Sequence, residues 1–352
     1  MRATMIDRCD NPWRGQGLAI DAPWPHADAR AVARLLALCP AHAPTPLRDC
    51  PALATRAGVA KLHVKDERGR MGLGSFKALG AAHAIARQAA AAVQGDRWDR
   101  ALTDRSYVTA SAGNHGLSVA AAARLFGARA IIYLAETVPQ AFAARLEAKG
   151  AKVMREGATY EDSMAAAERA ARAQGWTLLS DSSWPGYTEL PLLVMEGYLQ
   201  LADEAADQID APPSHILLQA GVGGMAAAVA ALARARWGDA PQIIVVEPAA
   251  APALIDSIRA GHLVDSTGPV SNMGRLDCKT ASMIALKGLS RDADLFVTIS
   301  DDEAATGAAI LADHGLATTP SGGAGLSALL AGLDLGRRAR VLAILSEGRE
   351  DG

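Results

Sequence analysis

The sequence predicts an α/β protein in which parallel sheets are flanked by helices. Two observations carry this. From residue 106 onward, short β-branched runs alternate with alanine-rich amphipathic stretches, the pattern of repeated βα units. At 352 residues the chain is also long enough to bury a sizeable interior in two lobes or one large domain.

The strand expectations, in order, are SYVTA (106–110), RAIIYLA (129–135), AKVMRE (151–156), TLLS (177–180), HILLQA (215–220), QIIVVE (242–247), LFVTIS (295–300) and VLAILS (341–346). Helices fill the gaps. Pro139 stands where a first helical turn begins, and Gly150 closes that helix. The stretch AAAVQGDRWDRALTD (90–104) and the turn-rich SDSSWPGY (180–187) are where the chain leaves one lobe and returns to it. The expected division is therefore a large lobe of residues 1–98 and 196–352 with a smaller lobe of 99–195 inserted into it.

Composition narrows the partners. The formal charge is −3 with no basic run, which points away from nucleic acid and anionic membranes and toward a small molecule. Cys9, Cys39, Cys50 and Cys278 are widely spaced without a CxxC pair, so reduced cytoplasmic thiols are expected rather than a zinc site or a disulfide framework. The N-terminal residues lack an apolar signal core, and there is no apolar run of the ~18 residues that a membrane-spanning helix needs.

Three turns follow strand candidates. SAGNHG (111–116) leads into a helix and exposes unpaired N–H groups suited to a carboxylate or phosphate, with Asn114 adding an amide. AGVGGM (220–225) has three glycines among residues 221–224, the chemistry of a phosphate cradle. LAILSEG (342–348) brings Ser346 to the carboxyl edge of a sheet, where ligands bind in open parallel sheets. Gly221, Gly223 and Ala226 also fit the G-x-G-x-x-A dinucleotide pattern, with Glu247 placed as a ribose-binding acid. That alternative leaves one feature unexplained: Lys77, alone behind MGLGSF at the mouth of a helix, where the macrodipole disfavours a cation. A single ligand uses all four features. Pyridoxal phosphate is held by its phosphate, forms a Schiff base with a lysine and presents an amino-acid carboxylate to the protein.

The segments HAPTPLRDCPALA, VKDERGRMGLGSFKALGA, TASAGNHGLSVA, DSSWPGYTELPLLVMEGY, QAGVGGM, NMGRLDC and LSEG together resemble the fold-type II (tryptophan synthase β-like) pyridoxal-phosphate enzymes. Within them the chain is most similar to the diaminopropionate ammonia-lyases, from about Pro44 to Gly348. The resemblance implies a two-lobed fold, a homodimer and a small amino-acid substrate. It makes Lys77 the Schiff-base residue and the acid/base at Cα, with Phe76 beside it at the cofactor. Asn114 would hold the cofactor's 3′-oxygen, Gly221, Val222, Gly223, Gly224 and Met225 its phosphate, and Ser346 would face the pyridine nitrogen. Ser111, Ala112, Gly113 and His115 would form the substrate-carboxylate turn. Ala112 stands where those ammonia-lyases carry an acidic residue thought to act as base toward a D-substrate, which leaves L against D open. No metal is called for.

A neutral hydroxyl facing the ring nitrogen favours elimination or replacement over transamination. The expected reaction is α,β-elimination, 2,3-diaminopropionate giving pyruvate and ammonia, with Asp181 gripping or protonating the β-amino group; a helix-capping role for Asp181 stands beside it. The alternatives are a serine, threonine or 3-hydroxyaspartate dehydratase, a β-replacement synthase, and a non-catalytic pyridoxal-phosphate or amino-acid binding protein. A β-carboxylate would call for an extra cation, drawn from Lys65, Arg68, Arg275 or Lys279.

Overall fold

Two sheets organise the computed structural model, which describes residues 7–349. In chain order the strands are β1 (Arg8–Asp10), β2 (Leu47–Asp49), β3 (Lys61–Asp66), β4 (Ser106–Ala110), β5 (Arg129–Leu134), β6 (Lys152–Arg155), β7 (Thr177–Leu178), β8 (His215–Gln219), β9 (Gln242–Pro248), β10 (Leu295–Ile299) and β11 (Arg340–Leu345). The seven-stranded sheet runs β1-β10-β9-β8-β11-β3-β2 and the four-stranded sheet β6-β5-β4-β7. All pairs are parallel except the two at the edges of the larger sheet, β1 with β10 and β2 with β3. Central strands covered by helices on both faces must be apolar throughout, and β10 and all but the first residue of β9 and β11 are buried.

Each of the eight strands expected from sequence is present, most of them one or two residues shorter. Pro139 lies immediately before the helix Gln140–Ala148, and Gly150 follows it with φ +90°. Three strands have no counterpart in the expectation. β1 and β2 are three residues long, and β3 carries Lys65 and Asp66. Lys65 is fully buried because its ammonium donates to the Glu204 carboxylate (2.7 Å), the Thr45 carbonyl (2.6 Å) and Gln208 (3.0 Å). Arg70 and Glu67 complete this buried ionic cluster, Arg70 binding both carboxylates. A charged strand is thus compatible with burial when every charge is paired.

Two features of the packing position the site. The helices Lys77–Ala92 and Glu189–Gly197 meet glycine on glycine: a Cβ on Gly197 would lie 2.4 Å from the Leu79 carbonyl oxygen and 2.8 Å from Gly80 Cα. Their close approach brings Tyr198, at the end of the second helix, against the first turn of the first. Meanwhile the Ser75–Phe76 turn docks on the end of β11, Ser75 bridging Glu347 and the Phe76 N–H donating to the Ser346 carbonyl at 3.1 Å. Among the described residues no helix is long and apolar enough to cross a membrane.

Candidate active site

Lys77 opens the helix Lys77–Ala92. Its backbone is held at both ends: the N–H donates to Ser75 Oγ at 3.3 Å, and its carbonyl accepts from Ser118 Oγ at 2.6 Å. The side chain is paired with the Asp181 carboxylate, so an ammonium at a helix start is neutralised by a counter-ion rather than exposed to the dipole. Burial works against the Lys77 ammonium, yet Asp181, with Tyr198 adding to it, holds the group well above the usual lysine range. Burial likewise works against the Asp181 carboxylate, but Lys77 holds it below the usual carboxylate range.

Asp181 follows β7 in a loop fastened on several sides. Tyr187 donates its hydroxyl to the Leu178 carbonyl (2.8 Å) and accepts from the Ser180 N–H (3.1 Å), and its ring stacks on Trp184 at 4.4 Å between centroids. Ser183 and Ser282 hydroxyls meet at 2.7 Å, tying this loop to the segment behind the glycine turn. The helix-capping alternative for Asp181 does not hold: the next helix begins only at Glu189, with Thr188 before it.

The SAGNHG turn joins β4 to the helix Asn114–Leu125, with Gly113 at the cap position. The Ser111 hydroxyl accepts from the Gly113 N–H at 3.3 Å. His115 is buried, and its Nε2 donates to the Leu179 carbonyl at 2.8 Å. Burial holds the imidazole below its ordinary range, so it is neutral, with Nδ1 lacking a partner. What His115 offers toward the turn is therefore a helix-start N–H and not a charged ring. Ala112 packs against the core with a methyl group only. Asn114 donates its amide to the Glu347 carboxylate, which also accepts from Arg275 (3.2 Å) and Thr319.

The glycine turn joins β8 to the helix Gly224–Trp237. Gly223 has φ +95°, and a Cβ there would sit 3.0 Å from the Ala285 methyl, so no other residue fits without strain. Gly224 and Met225 begin the helix, which leaves their N–H groups without intrahelical acceptors. A Cβ on Gly224 would meet Tyr198 Cε2 at 3.6 Å and the Asp181 carbonyl oxygen at 3.9 Å, so the start of this helix lies against both residues. Behind it, Cys278 Sγ lies 3.0 Å from a Cβ on Gly221, and burial pushes that thiol up to about 11. Ser346 is buried at the end of β11, its N–H donating to the Gly322 carbonyl at 3.1 Å.

Glu247 is fully buried and accepts the N–H groups of Leu254 and Ile255, each at 2.8 Å. Burial pushes it up to about 8 against those two hydrogen bonds. An acid committed to its own backbone has no oxygen to offer a ribose, and the dinucleotide alternative fails there.

Of the four cations considered for a second carboxylate, Lys65 is locked in the buried cluster, Arg68 is paired with Asp66 (2.8 Å), Lys279 with Asp277 (2.6 Å) and Arg275 with Glu347 (3.1 Å). Arg275 also approaches the SAGNHG turn, its Nε 3.5 Å from a Cβ on Gly113. Sequence reasoning missed Tyr198 and Glu347 as site neighbours, although both lie in segments (EGY and LSEG) that the resemblance rests on.

A lysine with an acid partner, and a glycine turn whose helix-start N–H groups have no intrahelical acceptor, are the donors that an aldehyde and a phosphate require. Fold and site together define a fold-type II pyridoxal-phosphate enzyme. The chain belongs to the pyridoxal-phosphate dependent enzyme family, whose sequence model matches residues 38–347. It is 33% identical over 340 residues to diaminopropionate ammonia-lyase of Escherichia coli (strain K12), covering 88% of this chain and 85% of that one. It is 29% identical to human L-serine dehydratase/L-threonine deaminase over 294 residues, 82% of this chain and 83% of the other. Its structure superposes on the crystal structure of the E. coli diaminopropionate ammonia-lyase with a TM-score of 0.87, at 31% identity, over 98% of this chain and 94% of that one.

Proposed function

We propose that this enzyme is an ammonia-lyase that eliminates the β-amine of 2,3-diaminopropionate. Pyruvate and two ammonia molecules form and one water is consumed. The observation that carries the reading is the Lys77–Asp181 pair beside the glycine cradle, supported by the names of the relatives at 33–34% identity.

Pyridoxal phosphate, when bound, supplies an aldehyde for Lys77 and an electron sink for the charge left at Cα. Gly221, Val222, Gly223, Gly224 and Met225 hold its phosphate through backbone N–H groups, Asn114 its 3′-oxygen, and Phe76 flanks it. Ser346 presents a neutral hydroxyl to the ring nitrogen, which favours loss of a β-substituent over transamination. Ser111, Ala112, Gly113 and His115 grip the substrate's α-carboxylate. Lys77 removes the α-proton. Asp181 receives the β-ammonium and steers its departure, the carboxylate that now faces one ammonium accepting another. The reading takes residues 99–195, which contain β4–β7, as a small mobile lobe. It takes the working unit as a cytoplasmic homodimer.

A second reading, dehydration of 3-hydroxyaspartate, draws on Arg275 beside the turn. One substrate panel tests both. Cofactor-loaded protein is assayed for 2-oxo acid with L- and D-2,3-diaminopropionate, serine, threonine and 3-hydroxyaspartate. Lys77→Ala is expected to abolish turnover. Absence of pyruvate from either diaminopropionate isomer, or full activity in Lys77→Ala, refutes the proposal.

A further inference from the structure

Tyr198 is 2% exposed, and its hydroxyl is buried without a hydrogen-bond partner. A buried unpaired hydroxyl is disfavoured, so its persistence calls for a group that pairs with it in another state of the protein. The location narrows what that group is. Edge-on to Phe76, with centroids 4.9 Å apart at 64°, the Tyr198 ring packs against the residue preceding Lys77. A Cβ at Gly80 would lie 2.7 Å from Tyr198 Cε1, and one at Gly224 would lie 3.6 Å from Cε2. The ring therefore fills the space between the first turn of the Lys77 helix and the start of the cradle helix. The Lys77 nitrogen lies against the same Phe76 ring, 5.8 Å from its centroid.

We propose that Tyr198 is a positioning residue for Lys77, its hydroxyl taking up the lysine nitrogen whenever that nitrogen leaves Asp181. A carboxylate can only accept and so suits an ammonium, whereas a neutral amine needs a partner that can also donate. A phenol does both. Burial, reinforced by Asp181 and opposed by Lys77, keeps the Tyr198 phenol above its ordinary range, so it stays a neutral donor and acceptor while Lys77 changes charge. The hydroxyl thus keeps the free amine aimed at the cofactor site while it attacks the aldehyde.

The proposal rests on Lys77 being the point of cofactor attachment, and the test separates the two. Apo-protein is mixed with pyridoxal phosphate, attachment is followed by absorbance, and the product is fixed with borohydride and mapped. Pyridoxamine phosphate, which has no aldehyde, measures the hold of the cradle alone. In Tyr198→Phe, attachment is expected to be at least tenfold slower while pyridoxamine phosphate affinity stays within twofold of the parent. A merely structural role would weaken both together. Equal attachment rates overturn the proposal, as does an equal loss of pyridoxamine phosphate affinity, which would put the hydroxyl on the phosphate. A parent protein that fixes no cofactor at Lys77 overturns the attachment reading itself. As a measurement free of any folding defect, 3-fluorotyrosine placed at position 198 alone is expected to shift its 19F resonance when the cofactor is fixed to Lys77; an unmoved resonance overturns the role.

Discussion

Asp181→Asn isolates the electrostatics of the site. The carboxylate keeps Lys77 protonated, and a protonated lysine cannot attack an aldehyde. Two unit charges about 4 Å apart attract by about 4 kcal/mol at an effective dielectric of ~20. The Lys77 and Asp181 side chains are 22% and 17% exposed, so water screens part of this. With about half of it retained, ~2 kcal/mol is lost on neutralising Asp181, which raises the ratio of free amine to ammonium about 30-fold. The variant should therefore attach pyridoxal phosphate faster than the parent at pH 8, by about 30-fold, while forming 2-oxo acid at least ~100-fold more slowly because the group that steers the β-ammonium is gone. Stopped-flow absorbance gives the first quantity and a coupled keto-acid assay the second. Attachment no faster than in the parent would refute the account of the pair, whatever happens to turnover.

Two further outcomes follow from the geometry. Gly223→Ala forces an L-residue to φ +95° and puts its methyl 3.0 Å from that of Ala285, so about 1–3 kcal/mol of stability should be lost, together with cofactor retention on gel filtration; an unchanged melting temperature would contradict the strained turn. Glu204, buried among Arg70 and Lys65, is held at about 2 although burial alone would raise it. A carboxyl whose folded value lies below its unfolded one stabilises the protein above the unfolded value and loses that contribution as pH falls through the folded one. Denaturant unfolding between pH 6 and pH 2 should thus show about 3 kcal/mol of stability disappearing below pH ~4.5, and Glu204→Gln should flatten that slope.

How legible these features were from sequence depended on whether the physics was local. β-branched runs between helices marked β4 to β11, because burial on both faces leaves an apolar run. β3 escaped notice since Lys65 in KLHVKD is buried by partners as distant as Glu204 and Gln208, which no local pattern reveals. β1 is three residues that lie in the sheet by pairing with the distant β10. Within the candidate site, glycine spacing marked both strand-to-helix turns, because their backbone geometry is local. Asp181 was ambiguous because a cap and a counter-ion use the same residue type, and only the 104-residue separation bridged by the fold decides between them. Tyr198 and Glu347 were invisible as site neighbours, being ordinary residues made special by what they face.

The position of β11 between β8 and β3 has a consequence for biosynthesis. Strands 61–66 and 215–219 have no shared neighbour until residues 340–345 leave the ribosome, so the larger sheet stays open until then. β4 to β7 are contiguous in sequence and can pair long before that. The nascent chain therefore carries a finished inner piece and two waiting apolar halves. Its exposure to aggregation and to chaperones lasts until residues 340–345 emerge and join them.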